Sequence, residues 1–199
     1  MHKIALLLLL VMLMSCNTMQ TRIYSINVSQ YPQESKAVKI DEGVFLQVKS
    51  NRHFKQTYII YRSSIYEMMQ STYARWDNTP DDILREQITE ALTRKGFFKD
   101  VKTLRSTVTG GFFRLDVDIR DFSRFDDSNT SYAVLGIKTT LKDPKGKTIY
   151  AKEEEFKQRL DDRTYLSLAK GMSIVMTSVL LKMTDEIEEA LKVYLKQNP

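Results

Sequence analysis

The stretch 163–195 constrains the fold most. Leu168, Met172, Val175, Val179, Met183, Ile187 and Leu191 recur at spacings of three and four, which sets them on one face of a helix. Unbroken, that helix spans roughly 45 Å at the α-helical rise. An apolar stripe of such length gains its stability from packing, so the rest of the chain must supply a surface to lie beneath it. Gly171, near its start, is expected to bend the helix or to let it approach a neighbour closely.

Period-two segments upstream supply that surface. Residues 22–28 (RIYSINV) set Tyr24, Ile26 and Val28 against Ile23, Ser25 and Asn27, which predicts a strand with one apolar face. Residues 30–42 are polar with a proline and predict a loop, followed by strands at 44–48, 58–62 (YIIYR) and 66–70. Thr79-Pro80-Asp81-Asp82 marks a helix start: threonine caps free amides, proline suits the first helical position, and acids favour the positive end of the dipole. Ile83, Leu84, Ile88, Ala91 and Leu92 form its stripe, and Gly96 is placed to end it in the left-handed region. Phe97-Phe98 leads to a strand at 101–108, which Gly110-Gly111 is expected to turn tightly into a strand where Leu115, Val117 and Ile119 alternate with Asp116, Asp118 and Arg120. Residues 132–141 and 148–156 are expected to pair across Asp143-Pro144-Lys145-Gly146. The order predicts an α/β or α+β sandwich: a mixed, largely antiparallel sheet, a capped middle helix and a long C-terminal helix, with helices over one sheet face.

The N-terminus is a separate problem. Met1, His2 and Lys3 precede eleven uninterrupted apolar residues, Ile4 to Met14. That run is too short for a bilayer core needing about 20 residues, and fits a secretion signal instead. Leu13-Met14-Ser15-Cys16 resembles the lipobox of bacterial lipoproteins, where the thiol is acylated and the chain is cut before it. Leu13 and Ser15 occupy the signal-recognition positions; small Ser15 leaves room for the peptidase, and Cys16 supplies the sulfur nucleophile. Cys16 is the only cysteine, so an exported chain could form no internal disulfide, and acylation leaves no reactive thiol. Residues 1–15 are therefore expected to leave as signal, 16–21 to form a short tether, and 22–199 to form one domain held close to the membrane. Asn17, in place of the aspartate that retains enteric lipoproteins at the inner membrane, favours an outer-membrane address with the domain facing the periplasm; other hosts sort differently, which leaves the inner membrane open.

Chemistry-bearing constellations are sparse. The formal charge of +5 becomes +4 once Lys3 is removed, too mild to argue for nucleic acid. The histidines are His2, in the signal, and His53, alone in a polar stretch, so no metal site of His or Cys is expected and no cofactor is implied. Asp116 and Asp118 share a strand face and could reach a common ligand, with Asp121 beyond them, although the whole face is charged and reads better as solvated. Asp126-Asp127 lacks calcium-loop spacing, and Glu153-Glu154-Glu155 reads as surface. Gly110-Gly111 joins two strands, so it is no phosphate cradle.

The segment before the capped helix stands out. Tyr61-Arg62 and Tyr73-Ala74-Arg75-Trp76 flank a short strand. Either its aromatics pack under the helix with Trp76 as a core plug, or Arg62, Tyr73, Arg75 and Trp76 contact a partner or a lipid. Met172, Met176 and Met183 could line an apolar groove for a lipid, though ordinary core explains them more simply.

This pattern resembles the ABC-type transport auxiliary lipoprotein family, which includes the PqiC-type lipoproteins. The likeness rests on the lipobox, the early strand Arg22-Ile23-Tyr24, Tyr61-Arg62, the run from Tyr66 through Tyr73 to Trp76, and Gly96-Phe97 leading to Val101. Where the family commonly follows its tryptophan with alanine and an acid or proline, this chain has Asp77-Asn78-Thr79-Pro80. The resemblance implies a non-enzymatic, acylated (palmitate-type) lipoprotein that accompanies an MCE-type ABC system moving phospholipid or other lipids between envelope membranes. Its partners would be an MCE-domain or transporter protein and the membrane itself. A scaffolding or assembly lipoprotein for cell-wall or outer-membrane protein machinery is the alternative.

Overall fold

The computed structural model describes residues 20–103 and 111–198. The expected signal, Leu13, Ser15 and Cys16 lie outside them. Within them eight strands form one mixed sheet: β1 (Arg22–Tyr24), β2 (Val44–Ser50), β3 (Tyr58–Arg62), β4 (Met69–Trp76), β5 (Val101–Lys102), β6 (Phe113–Asp126), β7 (Ser131–Lys142) and β8 (Thr148–Arg159). Helix α1 (Pro80–Lys95) follows β4, and α2 (Tyr165–Gln197) ends the chain. The α+β class and the mixed sheet are as expected.

Strand β6 organises the sheet. Along one side it pairs antiparallel with β7, which pairs antiparallel with β8. Along the other it pairs in parallel with β2 through its first half and with β3 near its end. β3 then carries β4 and β4 carries β1, so β1 is an edge. A bulge at Arg120, opposite Gly136, breaks the alternation between the two halves of β6. A side chain at Gly136 would stand 3.3 Å from the Cβ atoms of Arg120 and Asp121, so glycine makes room for the bend. The extra residue puts both Ile119 and Phe122 in the core and turns Asp121 to the opposite face.

Local chemistry sets both helices. Thr79 Oγ1 accepts from the Asp82 amide at 3.3 Å and donates to the Asp82 carboxylate at 2.7 Å, Pro80 opens α1, and Gly96 closes it at φ 64°. Ile83, Leu84, Ile88, Ala91 and Leu92 are all buried, and the helix lies on β2. Thr164 caps α2, accepting from the Ser167 amide at 3.1 Å. The entire stripe from Leu168 to Leu191 is buried against β7 and β8. By length and composition α2 would suffice for a membrane span, but a little over half of its most apolar stretch is buried within the domain. Gly171 serves close approach: a Cβ there would lie 2.4 Å from Leu160 Cδ2 and 3.2 Å from Ala133 Cβ.

Three strand expectations need correction. β1 stops at Tyr24, because the chain then leaves the sheet: the Asn27 amide donates to Ser173 Oγ of α2 at 3.0 Å, while Ile26 and Val28 pack on the core. The fourth strand is Met69–Trp76 rather than 66–70, because Met69, Gln70 and Arg75 pair with β3 and Ala74 to Trp76 pair with β1, while 66–68 lie in an exposed loop. Residues 101–102 do not form a hairpin with β6. β2 lies between them, Val44 pairing with both Val101 and Phe113. The remainder of the expected strand, and Gly110, fall at 104–110, outside the described residues.

Candidate contact surface

Helices cover one face of the sheet, so the other face carries what remains of each alternation. Over the first half of β6 it is ionic. Arg114 Nε donates to both Asp116 carboxylate oxygens at 2.9 and 3.0 Å, and its Nη2 to Gln47 at 2.9 Å. Asp116 is thus neutralised by its own strand, and Asp121 by Arg62 beyond the bulge. Asp116 and Asp121 therefore hold separate partners rather than sharing a ligand. The acidic run on β8 is matched too: Glu154 meets Lys152 and Lys182, Glu153 faces Arg120, and Glu155 faces Lys157. Asp126 accepts from Arg124 and from Ser131 Oγ at 2.6 Å, and Asp127 caps the Ser128 amide at 2.7 Å, which occupies those carboxylates locally. His53 sits in a 3-10 turn (Arg52–Lys55) that Asn51 caps.

Over the second half of β6 the outer face changes character. Arg62 of β3 lies opposite Phe125 and extends its guanidinium 5.8 Å from that ring, in an ion pair with Asp121. Asp121 is 6% exposed, and its Oδ1 accepts from Ser123 Oγ at 2.7 Å. Arg75, opposite Tyr58, stacks 3.7 Å over that ring and donates to the Ser71 carbonyl at 2.9 Å. Opposite Arg75 on β1 stands exposed Ile23. Tyr73, 48% exposed, alternates with the buried Ala74 and Trp76. Tyr73, Arg75 and Ile23 therefore form an open patch at the β1–β4 edge, and Arg62 lies inboard of it in a fixed pair.

Trp76 is elsewhere. Its alternation sends it to the helix side, where it is 2% exposed and meets Phe122 edge-on at 5.6 Å, so it offers no surface to a partner. Its Nε1 proton has no acceptor among the described residues. Met172, Met176 and Met183 are likewise core residues under α2, not the wall of a groove. Surface depressions of about 540 and 570 Å³ are lined by polar and charged residues, the first by Asp82, Arg85 and Glu86 among others, the second by Tyr150, Lys152 and acids of α2.

Two features escaped the sequence. Arg124 is buried between the Tyr61 and Tyr165 rings, at 5.2 and 5.3 Å, and donates to Asp126 and the Arg163 carbonyl, tying β6 to the start of α2. The bulge that puts it on the helix side has no local sequence mark. The second is the β3–β4 loop, where Ile65, Tyr66 and Met68 are exposed; Ser63-Ser64 ahead of them is the turn signal that would have marked it. Away from this face, Lys95 at the end of α1 joins Asp185 and Glu188 of α2 at 2.7 and 2.9 Å, and Ser35 Oγ donates to Glu188 at 2.8 Å. Burial disfavours the Glu188 carboxylate, but the hydrogen bonds from Lys95 and Ser35 outweigh it and hold its pKa below the usual range.

The sheet thus has one face covered by helices and one open, and comparisons agree on the chain's kinship. The profile of the ABC-type transport auxiliary lipoprotein component matches residues 32–184. In fold the chain is similar to protein XCC0632 from Xanthomonas campestris, with a TM-score of 0.73 over 89% of this chain and 100% of that one, at 14% identity. A second solved structure, of an uncharacterized protein, aligns at a TM-score of 0.59 and 12% identity over 79% of this chain and 99% of that one. At such identities the likeness speaks for fold alone. No curated protein matches in sequence. The profile covers most of the domain, and the chain belongs to the ABC-type transport auxiliary lipoprotein family.

Proposed function

We propose that the chain is a non-catalytic accessory lipoprotein of an MCE/ABC-type system that moves phospholipid or a related lipid between the envelope membranes. Acyl chains on Cys16 hold it in the outer membrane with the domain facing the periplasm, where it docks an MCE-domain or transporter subunit. The observation that carries this reading is the family match over residues 32–184. The open patch of Tyr73, Arg75 and Ile23 supports it, since an aromatic beside an arginine is a usual interface anchor. Tethering raises local concentration, so a modest patch suffices.

Photocrosslinking in intact envelopes tests it. Photoreactive residues replace Tyr73, Arg75 and, on the exposed side of α2, Ile174, with Arg62 left in its ion pair. Capture of an MCE-domain or transporter subunit is expected, and the reactive position identifies the docking face. Capture of only cell-wall or outer-membrane assembly components, with no transporter and no lipid adduct, overturns the reading in favour of a scaffold.

A further inference from the structure

The β3–β4 loop is the densest exposed apolar feature among the described residues. Within six residues, 63–68, Ile65 is 75% exposed, Tyr66 93%, and Met68 is also open to water. Among the described residues the other exposed large apolar side chains are Ile23 and Tyr73, beside Arg75 at the β1–β4 edge, and Leu166, Ile174 and Val193, spaced apart along α2. The loop is held at both ends: Arg62 is fixed by Asp121 and Phe125, Tyr61 pairs with Met69, and the Tyr66 amide donates to Ser64 Oγ at 3.3 Å. A constrained loop presenting three apolar side chains to water is costly unless something meets it.

Strand direction says what does. β1 runs parallel to β4, with Arg22 opposite Ala74 and Tyr24 opposite Trp76. Traced upstream from Arg22, the chain is therefore aimed the same way as β4 traced back from Ala74, toward Met69 and the loop. Cys16 lies six residues above Arg22, so its Cα reaches at most about 20 Å beyond that level. Tyr66 lies eight residues above Ala74, about 26 Å if extended and somewhat less through the irregular pairing of β4. The two reaches are nearly equal, so a tether anchored at Cys16 cannot hold the domain farther from the bilayer than the loop extends. Any slack brings the loop to the surface.

We propose that the β3–β4 loop sits in the interfacial layer of the phospholipid bilayer that holds the Cys16 anchor, with Tyr66 at headgroup level and Ile65 and Met68 against the upper acyl chains. The proposal rests on acylation of Cys16. Tyrosine suits this layer because its ring is apolar and its hydroxyl stays wet, while Ser63, Ser64 and Glu67 remain among the headgroups. The anchor supplies the affinity and makes the loop contact intramolecular, so shallow insertion is enough. Two points of contact then fix the tilt of the domain, which a single flexible tether would leave free.

The acylated full chain in proteoliposomes tests this directly. Acylation consumes Cys16, so Ile65→Cys gives a single free thiol for an environment-sensitive fluorophore, and Lys145→Cys, in the β7–β8 turn at the far end of the sheet, is the control. The expected result is blue-shifted emission at position 65 that is lost with chain-brominated phospholipid, and neither effect at 145. A label at 65 that emits as in water, on protein whose Cys16 is acylated by mass spectrometry, overturns the loop contact and leaves the anchor standing. Protein with an unmodified Cys16 overturns the anchor and this proposal with it. Blue-shifted emission untouched by brominated lipid places the loop against a second copy of the chain, and also overturns the proposal.

Discussion

Replacing Arg62 by alanine separates a structural role from a docking role for this residue. The guanidinium neutralises Asp121, a carboxylate 6% exposed whose other oxygen is taken by buried Ser123. Breaking a buried pair from one side costs about 3–5 kcal/mol, because the surviving charge stays desolvated and unmatched. The Arg62 side chain is 21% exposed, so water reaches the space it vacates and the lower end of that range, about 3 kcal/mol, is expected. Removing both partners takes the orphan charge away. Arg62→Ala/Asp121→Ala should then be no less stable than Arg62→Ala alone, losing chiefly the Ser123 hydrogen bond of about 1 kcal/mol and the Phe125 contact. Urea unfolding of the chain without residues 1–15 reads all four corners of the cycle, with constant m-values as the check that only stability has moved. A single variant within about 0.5 kcal/mol of the parent, or strict additivity, would refute the assignment of a coupled buried pair.

Three further outcomes follow from the packing. Gly171→Ala gains about 1 kcal/mol of helix propensity but sets a methyl group against Leu160 and Ala133, so a net loss of about 1 kcal/mol is expected in thermal melts, and a larger one for Gly171→Val. Trp76→Phe keeps the contact with Phe122 and removes an indole proton with no acceptor among the described residues, so it should cost under about 1.5 kcal/mol against about 3–5 for Trp76→Ala in urea titrations. For Glu188, against the cost of burial, hydrogen bonds from Lys95 and Ser35 hold the folded carboxyl below its ordinary value of 4.5. Its contribution is therefore present above that value and lost as pH falls through the folded pKa; stability measured from neutral pH to about pH 3 should fall less steeply in Glu188→Gln.

Elements whose chemistry is local were legible in the sequence. Thr79, Pro80 and Gly96 carry the ends of α1 within their own residues, and Asp143 holds the β7–β8 turn by accepting the Lys145 and Lys147 amides at 2.9 and 2.8 Å. The stripe of α2 was legible because every one of its positions meets the same sheet. Pairing between distant strands was not. That β2 and β3 share one side of β6 depends on the bulge at Arg120, and a one-residue slip there reverses the faces of everything after it. The same limit governs the contact surface. In sequence Tyr73, Arg75 and Trp76 stand together as one candidate surface; only the run of β4 through Trp76 sets Tyr73 and Arg75 on the open face and Trp76 on the helix side. Arg62 looked like a free anchor because its partner, Asp121, lies 59 positions away.

If residues 16–21 form the proposed tether, the edge position of β1 gives it a mechanical meaning. An unprotected edge invites pairing with other chains, and β1 answers that hazard by being only three residues long and by leaving the sheet at once. It is nonetheless the first strand among the described residues, so under the proposed Cys16 anchor any pull on the acyl chains would enter the domain there. Parallel pairing with β4 makes that pull run along the strand, loading its hydrogen bonds together rather than opening them one at a time. Behind β1, Tyr24 accepts from the Asp77 amide at 3.0 Å and packs on Tyr165, and Ile26 and Val28 engage the core, which passes the load to α2 and to the entry of α1. These contacts hold the β1 edge, and with it the patch formed by Ile23, Tyr73 and Arg75, to the rest of the domain. On the proposed anchoring, a partner projecting from the opposite membrane would meet that patch within the tether's reach, where raised local concentration lets a weak contact suffice.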